Sequence, residues 1–495
     1  MVIRSDLYII SIYYHINLLL HLLKLHMKTL LTICFFLLLI IRFSYSQQIQ
    51  FENDALPEVM AKAKRTGKPV FILVESRPHV SPNLSEEARK AWTDSGLYDP
   101  AVTGILNKEF LNVKAPYGSA LARQMQQQYN VQQYPTYLYF DSDGGLVYRQ
   151  GSTTTSVERY LSDIEEFKQR KAANKSVSYY QRELVAGRRD ADFIKSYILL
   201  LNELGLTVEQ VLLNVYVDAL PAKAFNSFAE VVFIHQQGPH VDSKAFKRAR
   251  FNQKLVDSLY TTLPLQERIS INNLIISNTM EEAIAKRDRD LAYKGASFAR
   301  GTYTTDYKRG NMTFQNNMMR FYNSTGDTAQ YLQLLVSYVD EYYMGVPVDS
   351  VEQMLAADSA AMAASRDRMR LLSQNKPNSD SVQVHQRAYM RTGAQPNAGR
   401  SHLMMLNNSA YAVYRTGTTN NRYLTRALSW SKRAVELAPN SGYYDTLAHL
   451  LYKLEFYTEA EAMQEKAVEM ARTENAHTHT EHLQQELIKI KNRSL

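Results

Sequence analysis

The sequence contains a single cysteine, Cys34, and it lies inside an apolar stretch near the start of the chain. Downstream of this residue, a disulfide, a cysteine-ligated metal site and thiol catalysis are all excluded. The excess of positive over negative charge is also small. The net charge is +8, and the first 46 residues hold +3 of it, which leaves +5 for the remainder. So small a surplus is not the clustered basic face of a nucleic-acid-binding protein. We therefore expect no nucleic acid, no metal and no cofactor.

The apolar stretch around Cys34 is short. Leu30 to Ile41 spans 12 residues, and a basic residue, Lys28, precedes it. A membrane-spanning helix needs about 20 residues. A basic head, a short apolar run and small residues after it, here Ser44 and Ser46, form the pattern of a secretory signal peptide. The sequence therefore predicts an export signal within residues 1–46.

Cleavage is predicted near Ser46/Gln47, and translation is predicted to start at Met27. The mature chain would lie in the periplasm or outside the cell without any cysteine, so its stability would come from packing rather than disulfides. The alternative is a membrane anchor built from residues 18–25 and 30–41 together. Histidine and lysine residues interrupt that run, which disfavours it. A membrane is expected as a partner only if this segment stays uncleaved.

Residues 47–170 show alternating helix and strand signals. Pro69–Val74 is a nearly continuous apolar run between turn signals, which is typical of a strand buried on both faces. Asp99 is placed to cap a helix that begins at Pro100, and Asp141–Gly145 separates two strands of a hairpin. After an opening helix over Leu56–Arg65, the predicted order is strand, helix, strand, helix, strand, strand, helix, with a parallel first part and an antiparallel end.

Four phrases in this region carry a resemblance to a known family: Gly67–Phe71, Asp99–Val102, Asn107–Lys114 and Tyr134–Thr136. In this order they resemble the secreted thioredoxin-like proteins of Bacteroidetes. The resemblance implies a thioredoxin fold in which Pro135 follows a cis peptide bond and faces the groove of the active site. Redox members of the family present substrates along that groove.

The sequence departs from this family at its active site. The family has a Cys-x-x-Cys motif after the first strand, where a helix N-terminus lowers the thiol pKa. This chain has Glu75–Glu87 there instead, with two prolines, three serines and His79. We therefore expect no thiol–disulfide oxidoreductase activity. A Ser81–His79 nucleophile and base would need an orienting group and an oxyanion hole. Nothing nearby signals either, so the segment is interpreted as a loop at a former active site.

Residues 171–400 show helical patterns and no convincing strand. Asp190 precedes an amphipathic run over Phe193–Leu201, and Asp327 precedes another. Paired helices with short polar joints are typical of an irregular α-solenoid. Gln374–Asn397 is polar and poor in core residues, and it is predicted to be a linker that ends this region.

Residues 401–495 contain a repeat. Four alanines recur with a period of 33 residues, Ala427 with Ala460 and Ala434 with Ala467. The pattern resembles the tetratricopeptide repeat, whose period is about 34. Glu455 stands where that family prefers glycine, which predicts a looser turn. Arrays of this kind bind peptides or proteins in a concave groove.

A histidine-rich segment follows the repeat: His477, His479, Glu481 and His482. On a helix only residues three or four positions apart share a face, so His479 and His482 would pair and His477 would not. We therefore expect no metal site in this segment.

Taken together, the sequence predicts an α/β thioredoxin-like domain followed by an all-α, tetratricopeptide-like repeat region. The predicted function is an exported, non-redox scaffold that binds a protein or peptide through its helical repeats. The alternative is a thiol-independent chaperone or isomerase-like activity at a groove formed by five residues: Tyr134, Pro135, Thr136, His79 and Ser81. For the repeat region, the alternative is a capping scaffold without any ligand. A third interpretation of the chain is a membrane-anchored form that uses the N-terminal apolar stretches.

Overall fold

The computed structural model describes residues 48–76, 94–374, 397–473 and 477–495. The chain divides into two compact units that part between Ala224 and Phe225. The first unit combines a small mixed sheet with helices, and the second is rich in helices. Within the described ranges, no helix combines the length and apolar character that a membrane span requires.

A four-stranded sheet lies at the centre of the first unit. Its strands are β1 (Val70–Val74), β2 (Leu111–Ala115), β3 (Thr136–Phe140) and β4 (Leu146–Gly151), in the order β2-β1-β3-β4. β1 runs parallel to β2, whereas β3 runs antiparallel to both β1 and β4. Every residue of β1 and of β3 is buried. This burial accounts for the nearly continuous apolar sequence of β1, as predicted.

Seven α-helices of the first unit are described: α1 (Leu56–Thr66), α2 (Pro100–Glu109), α3 (Ala120–Tyr129), α4 (Val157–Ala172), α5 (Val177–Val185), α6 (Ala191–Glu203) and α7 (Gln210–Ala219). Among the described residues of 47–170, the predicted order of helices and strands is confirmed. Asp99 caps α2, since its carboxylate accepts the N–H of Ala101 at 2.8 Å. Asp190 caps α6 in the same way, through the N–H of Phe193 at 3.0 Å.

The second unit is a succession of helices in its described residues. They are α8 (Phe228–Gln236), α9 (Lys244–Ala249), α10 (Gln253–Thr262), α11 (Leu265–Lys286), α12 (Arg289–Gly301), α13 (Tyr307–Thr325), α14 (Thr328–Val339), α15 (Val348–Gln374), α16 (Ala398–Arg415), α17 (Asn421–Leu437), α18 (Ser441–Lys453), α19 (Tyr457–Thr473) and α20 (His477–Lys491). A π-helical turn, Asp340–Met344, joins α14 to α15. From α11 onward, helices pack mainly on their neighbours in sequence. The interior of the predicted linker, residues 375–396, lies outside the described residues.

The alanine period has a structural basis. The four alanines lie on α17 and α19 and are fully buried. Small side chains are needed at these positions because they let neighbouring helices approach closely. The looser turn predicted at Glu455 is wrong. Glu455 adopts a left-handed conformation with φ 65°. The N–H of Phe456 donates to the carbonyl of Leu451 at 2.9 Å, which closes the end of α18 in a Schellman-type turn.

Candidate functional site

The loop before β3 is held in place by backbone and side-chain hydrogen bonds. The Tyr134–Pro135 peptide bond is cis. The carbonyl of Pro135 accepts the N–H of Ser152 at 3.1 Å, and the hydroxyl of Thr136 donates to the carbonyl of Gln133 at 2.6 Å. Pro135 and Thr136 are buried. Two of the predicted groove residues are therefore part of the framework rather than of an accessible surface.

Besides the exposed residues Gln132 and Gln133, this loop carries the half-buried Tyr134. The ring of Tyr134 packs edge-to-face on Tyr117, with centroids 5.6 Å apart, and 41% of Tyr117 is exposed. Tyr134 makes no backbone hydrogen bond to any other described residue. At the adjacent ends of β1 and β2, Lys114 pairs with Glu75 at 2.8 Å. A pair of tyrosines and one ion pair thus lie at this end of the sheet.

The predicted groove is only partly described. His79 and Ser81 lie outside the described residues. The chain leaves the sheet after Val74, which pairs with Thr136, and returns at Asp94 and Ser95. The start of this segment therefore lies beside the loop that contains Tyr134.

A buried polar network, which sequence reasoning missed, fixes the returning chain. The hydroxyl of Tyr160 lies 3.0 Å from that of Ser95 and 3.2 Å from that of Tyr137. Thr153 donates to Ser95 at 3.1 Å. Burial acts to raise the pKa of Tyr160, but hydrogen bonds from Ser95, Thr153 and Tyr137 outweigh it and the pKa is lowered. The four residues lie on separate elements, so no local sequence pattern could reveal the network.

A second candidate surface lies on α16. Met404 and Tyr411 are seven residues apart and therefore share one face of the helix. They are 53% and 38% exposed. Tyr411 stacks on Tyr414 with ring centroids 5.8 Å apart, and Tyr414 packs edge-to-face on His449 of α18 at 5.0 Å. We call Met404, Tyr411, Tyr414 and His449 the α16 face. It is an amphipathic, aromatic surface supported by neighbouring helices.

Polar contacts with neighbouring residues hold His449 of the α16 face in place. The Nε2 of His449 lies 3.5 Å from the carboxylate of Glu486 on α20, and its Nδ1 bonds the carbonyl of Asp445 at 2.8 Å. Gln464 of α19, which is fully buried, donates to the Asp445 carboxylate at 2.8 Å. Three helices are therefore joined beneath the aromatic residues. Burial, followed by the charge of neighbouring groups, raises the pKa of Tyr414, so its hydroxyl stays protonated.

The histidine-rich segment lies at the start of α20, and the side chain of His477 lies outside the described residues. Groups of three or more histidine, cysteine, aspartate or glutamate residues that suit a metal ion are absent from those residues. His482 is exposed on α20, one turn before Glu486. Two histidines of residues 401–495, His402 and His449, are buried, and sequence reasoning singled out neither of them.

Comparison with known proteins adds little. No family model matches the sequence, and no curated protein matches it. Among solved structures, one that matches is described as a DsbH oxidoreductase; it is 16% identical and covers 24% of this chain and 86% of that chain, with a TM-score of 0.19. A TM-score this low does not define a fold class. The small mixed sheet and the helix-rich region are therefore described from the chain's own geometry.

Proposed function

We propose that this chain is an exported thioredoxin-fold protein without thiol chemistry, joined to a tetratricopeptide-like helical region through which it binds a protein or peptide. The strand order β2-β1-β3-β4, with one parallel and two antiparallel pairings, supports the thioredoxin-like assignment. The 33-residue period of buried alanines, carried by paired helices, supports the repeat assignment. The lone Cys34 supports the absence of redox chemistry.

The α16 face is the observation that carries the binding function. Methionine and tyrosine are adaptable contact residues that are enriched at protein interfaces. Here they are exposed on α16, where Tyr414 packs on His449, and His449 in turn contacts Glu486 of α20. A rigid support beneath exposed aromatic residues reduces the ordering cost of binding. In helical-repeat proteins the surfaces formed by successive helices are the ones that bind partners.

Site-specific photo-crosslinking in the source cell tests this proposal. A benzoylphenylalanine crosslinker at Met404 or Tyr411 should give discrete adducts. The matched control places the same crosslinker at Leu199 on α6 of the first unit, which is 50% exposed. Adducts at both helices alike, or none at α16, would contradict the proposal. The Tyr411→Glu variant, with unchanged thermal unfolding, should lose any adduct formed at Met404.

A chaperone or isomerase-like activity beside Pro135 is the second candidate, and the packing of the exposed Tyr117 on the half-buried Tyr134 favours it. Aromatic side chains that already pack on each other offer contact area to an extended, unfolded chain at low entropic cost. If this surface acts as a chaperone, the protein should slow the aggregation of a chemically denatured model protein, and Tyr117→Ala should abolish the effect. Equal activity of Tyr117→Ala and the unmodified chain would argue against this candidate.

A further inference from the structure

Another candidate surface lies in the helical unit, and it shares no residue with the α16 face. The loop before α9, α9 itself and α12 border two overlapping cavities of about 420 and 410 Å³ that are wide open to solvent. Both cavities are lined by Val241, Phe246, Arg250 and Lys294. They therefore form one continuous groove, which we call the α9–α12 groove. Its size is within the range of peptide and small-ligand sites.

The groove is positively charged. Lys247 and Lys294 each pair with Asp242, at 2.6 Å in both cases. These two hydrogen bonds lower the pKa of Asp242 to about 2, so it stays ionised. Asp242, and after it Asp290 and Asp288, raise the pKa of Lys294, which keeps the ammonium charged. The carboxylate of Asp242 thus pairs with two lysines, and Arg250 is a third positively charged residue in the lining. The lining therefore has more positive than negative charges.

The base of the groove is apolar. Phe246 and Phe298 pack edge-to-face with centroids 5.7 Å apart, and the guanidinium of Arg250 lies 5.2 Å from the ring centre of Phe246. Ser297 also lines the groove, and its buried hydroxyl has no hydrogen-bond partner within the described part of the chain. The groove therefore offers an apolar base and a cationic rim.

We propose that the α9–α12 groove binds an acidic peptide segment of a partner protein. An apolar or aromatic side chain of the segment would lie on Phe246 and Phe298, and flanking carboxylates would pair with Lys247, Lys294 and Arg250. Charge complementarity selects this occupant. A nucleic-acid backbone fits less well, because the base of the groove is apolar. The proposal uses residues distinct from the α16 face.

The basic residues also cluster in sequence. Residues 240–255 contain three lysines and two arginines against a single aspartate, which gives +4 within a chain of net charge +8. The local concentration would accelerate the approach of an acidic segment and make binding depend on salt.

A random dodecapeptide display library, panned on the full chain, tests the proposal. Selected peptides should combine aspartate or glutamate with an aromatic or branched aliphatic residue. Their affinity should fall by about tenfold or more in Lys247→Glu/Lys294→Glu, and it should fall as salt is raised from 50 to 500 mM. The matched control is Lys432→Glu, an exposed lysine of α17 in the same unit, which should change affinity by less than about twofold.

Several outcomes would overturn the proposal. Selected peptides that are basic or uncharged, or acidic peptides that bind the Lys247→Glu/Lys294→Glu variant unchanged, exclude an acidic occupant. Thermal unfolding shows whether each variant is folded. The milder Lys294→Gln variant removes one charge without introducing a negative one, so it separates a loss of binding from a loss of folding. Tighter binding of a 20-nucleotide single strand, or of phosphatidylglycerol vesicles, would assign the groove to phosphate instead. Loss of the peptide in Tyr411→Glu alone would reject this inference and leave the proposed function standing.

Discussion

Protonation of His235 should destabilise the helical unit below neutral pH. His235 lies on α8 and is fully buried. Its Nδ1 bonds the carbonyl of Val231 at 2.8 Å, and its Nε2 has no hydrogen-bond partner among the described residues. Burial, and then the charge of Arg250, lower the pKa from 6.5 to about 4. The folded protein therefore keeps this imidazole neutral at a pH where the unfolded chain charges it.

The sign and the size of the effect follow from proton linkage. The lowered pKa means that the unfolded state binds more protons between pH 6.5 and 4, so the contribution to stability is complete above pH 6.5 and is lost as the pH falls through this window. The full loss, below pH 4, is about 3 kcal/mol at 1.36 kcal/mol per pKa unit. At pH 5 the loss is about 2 kcal/mol.

Urea unfolding of three variants measures this loss. The chain has two tryptophans, and Trp92→Phe leaves Trp430, fully buried in α17, as the reporter of the helical unit. In that background, the free energy of unfolding of His235→Leu is compared with that of the parent at each pH. The difference should shift by about 2 kcal/mol in favour of His235→Leu when the pH is lowered from 7.5 to 5. The control, Ile234→Val at the adjacent buried position, should cost about 1 kcal/mol at both pH values, because it removes a methyl group and no titratable group.

The reasoning is refuted if the stability difference between the parent and His235→Leu stays the same from pH 7.5 to pH 5. It is also refuted if Ile234→Val shows the same dependence on pH, since the change would then arise elsewhere. The shared loss from carboxylate protonation cancels in these differences. A shift of the urea midpoint without a change in the slope of unfolding free energy against urea concentration shows that stability, and not cooperativity, has changed.

Two further predictions concern the backbone. Glu455→Gly should stabilise the protein by about 0.5–1 kcal/mol, because a residue with a Cβ pays for its left-handed conformation at φ 65°; thermal unfolding checks this, and Glu455→Ala, which keeps the Cβ, should give no such gain. Gly145→Ala should destabilise the first unit by more than about 2 kcal/mol, since a Cβ would lie 2.3 Å from the backbone nitrogen of Ser178. Gly104→Ala on α2, where a Cβ meets nothing within 4 Å, is the control and should be neutral or slightly stabilising in the same assay.

Local patterns predicted the elements that local forces determine. β1 could be located because a strand buried on both faces needs an unbroken apolar sequence, and α2 and α6 because Asp99 and Asp190 cap them through their own neighbours. The sequence did not predict that Glu455 would close α18 in a left-handed conformation. The preference for glycine at this position reflects the lower conformational cost of glycine, and it does not mean that another residue cannot form the turn. The turn forms because hydrogen bonds and the packing of α18 on α19 compensate that cost.

The candidate sites were less predictable, because their residues come together only in the folded chain. The Ser95–Tyr160 contact joins residues 65 positions apart, and His449 meets Glu486 across 37 positions. No periodicity links such residues. The α9–α12 groove is intermediate: the basic residues of α9 are visible in sequence, but the pairing of Lys294 with Asp242, 52 positions away, requires the packing of α12 beside α9.

The two proposed surfaces of the helical unit should contribute differently to binding. The α9–α12 groove has a cationic rim, so its substitutions should act mainly on the association rate and its salt dependence. The α16 face consists of aromatic and thioether side chains over buried polar contacts, so its substitutions should act mainly on dissociation. For a partner that engages both surfaces, Lys294→Gln should slow association at 50 mM salt and have little effect at 500 mM, where charges are screened. Tyr411→Ala should speed dissociation equally at both salt concentrations, because apolar contact area is not screened. A common salt dependence for the two variants would mean that one surface carries both effects.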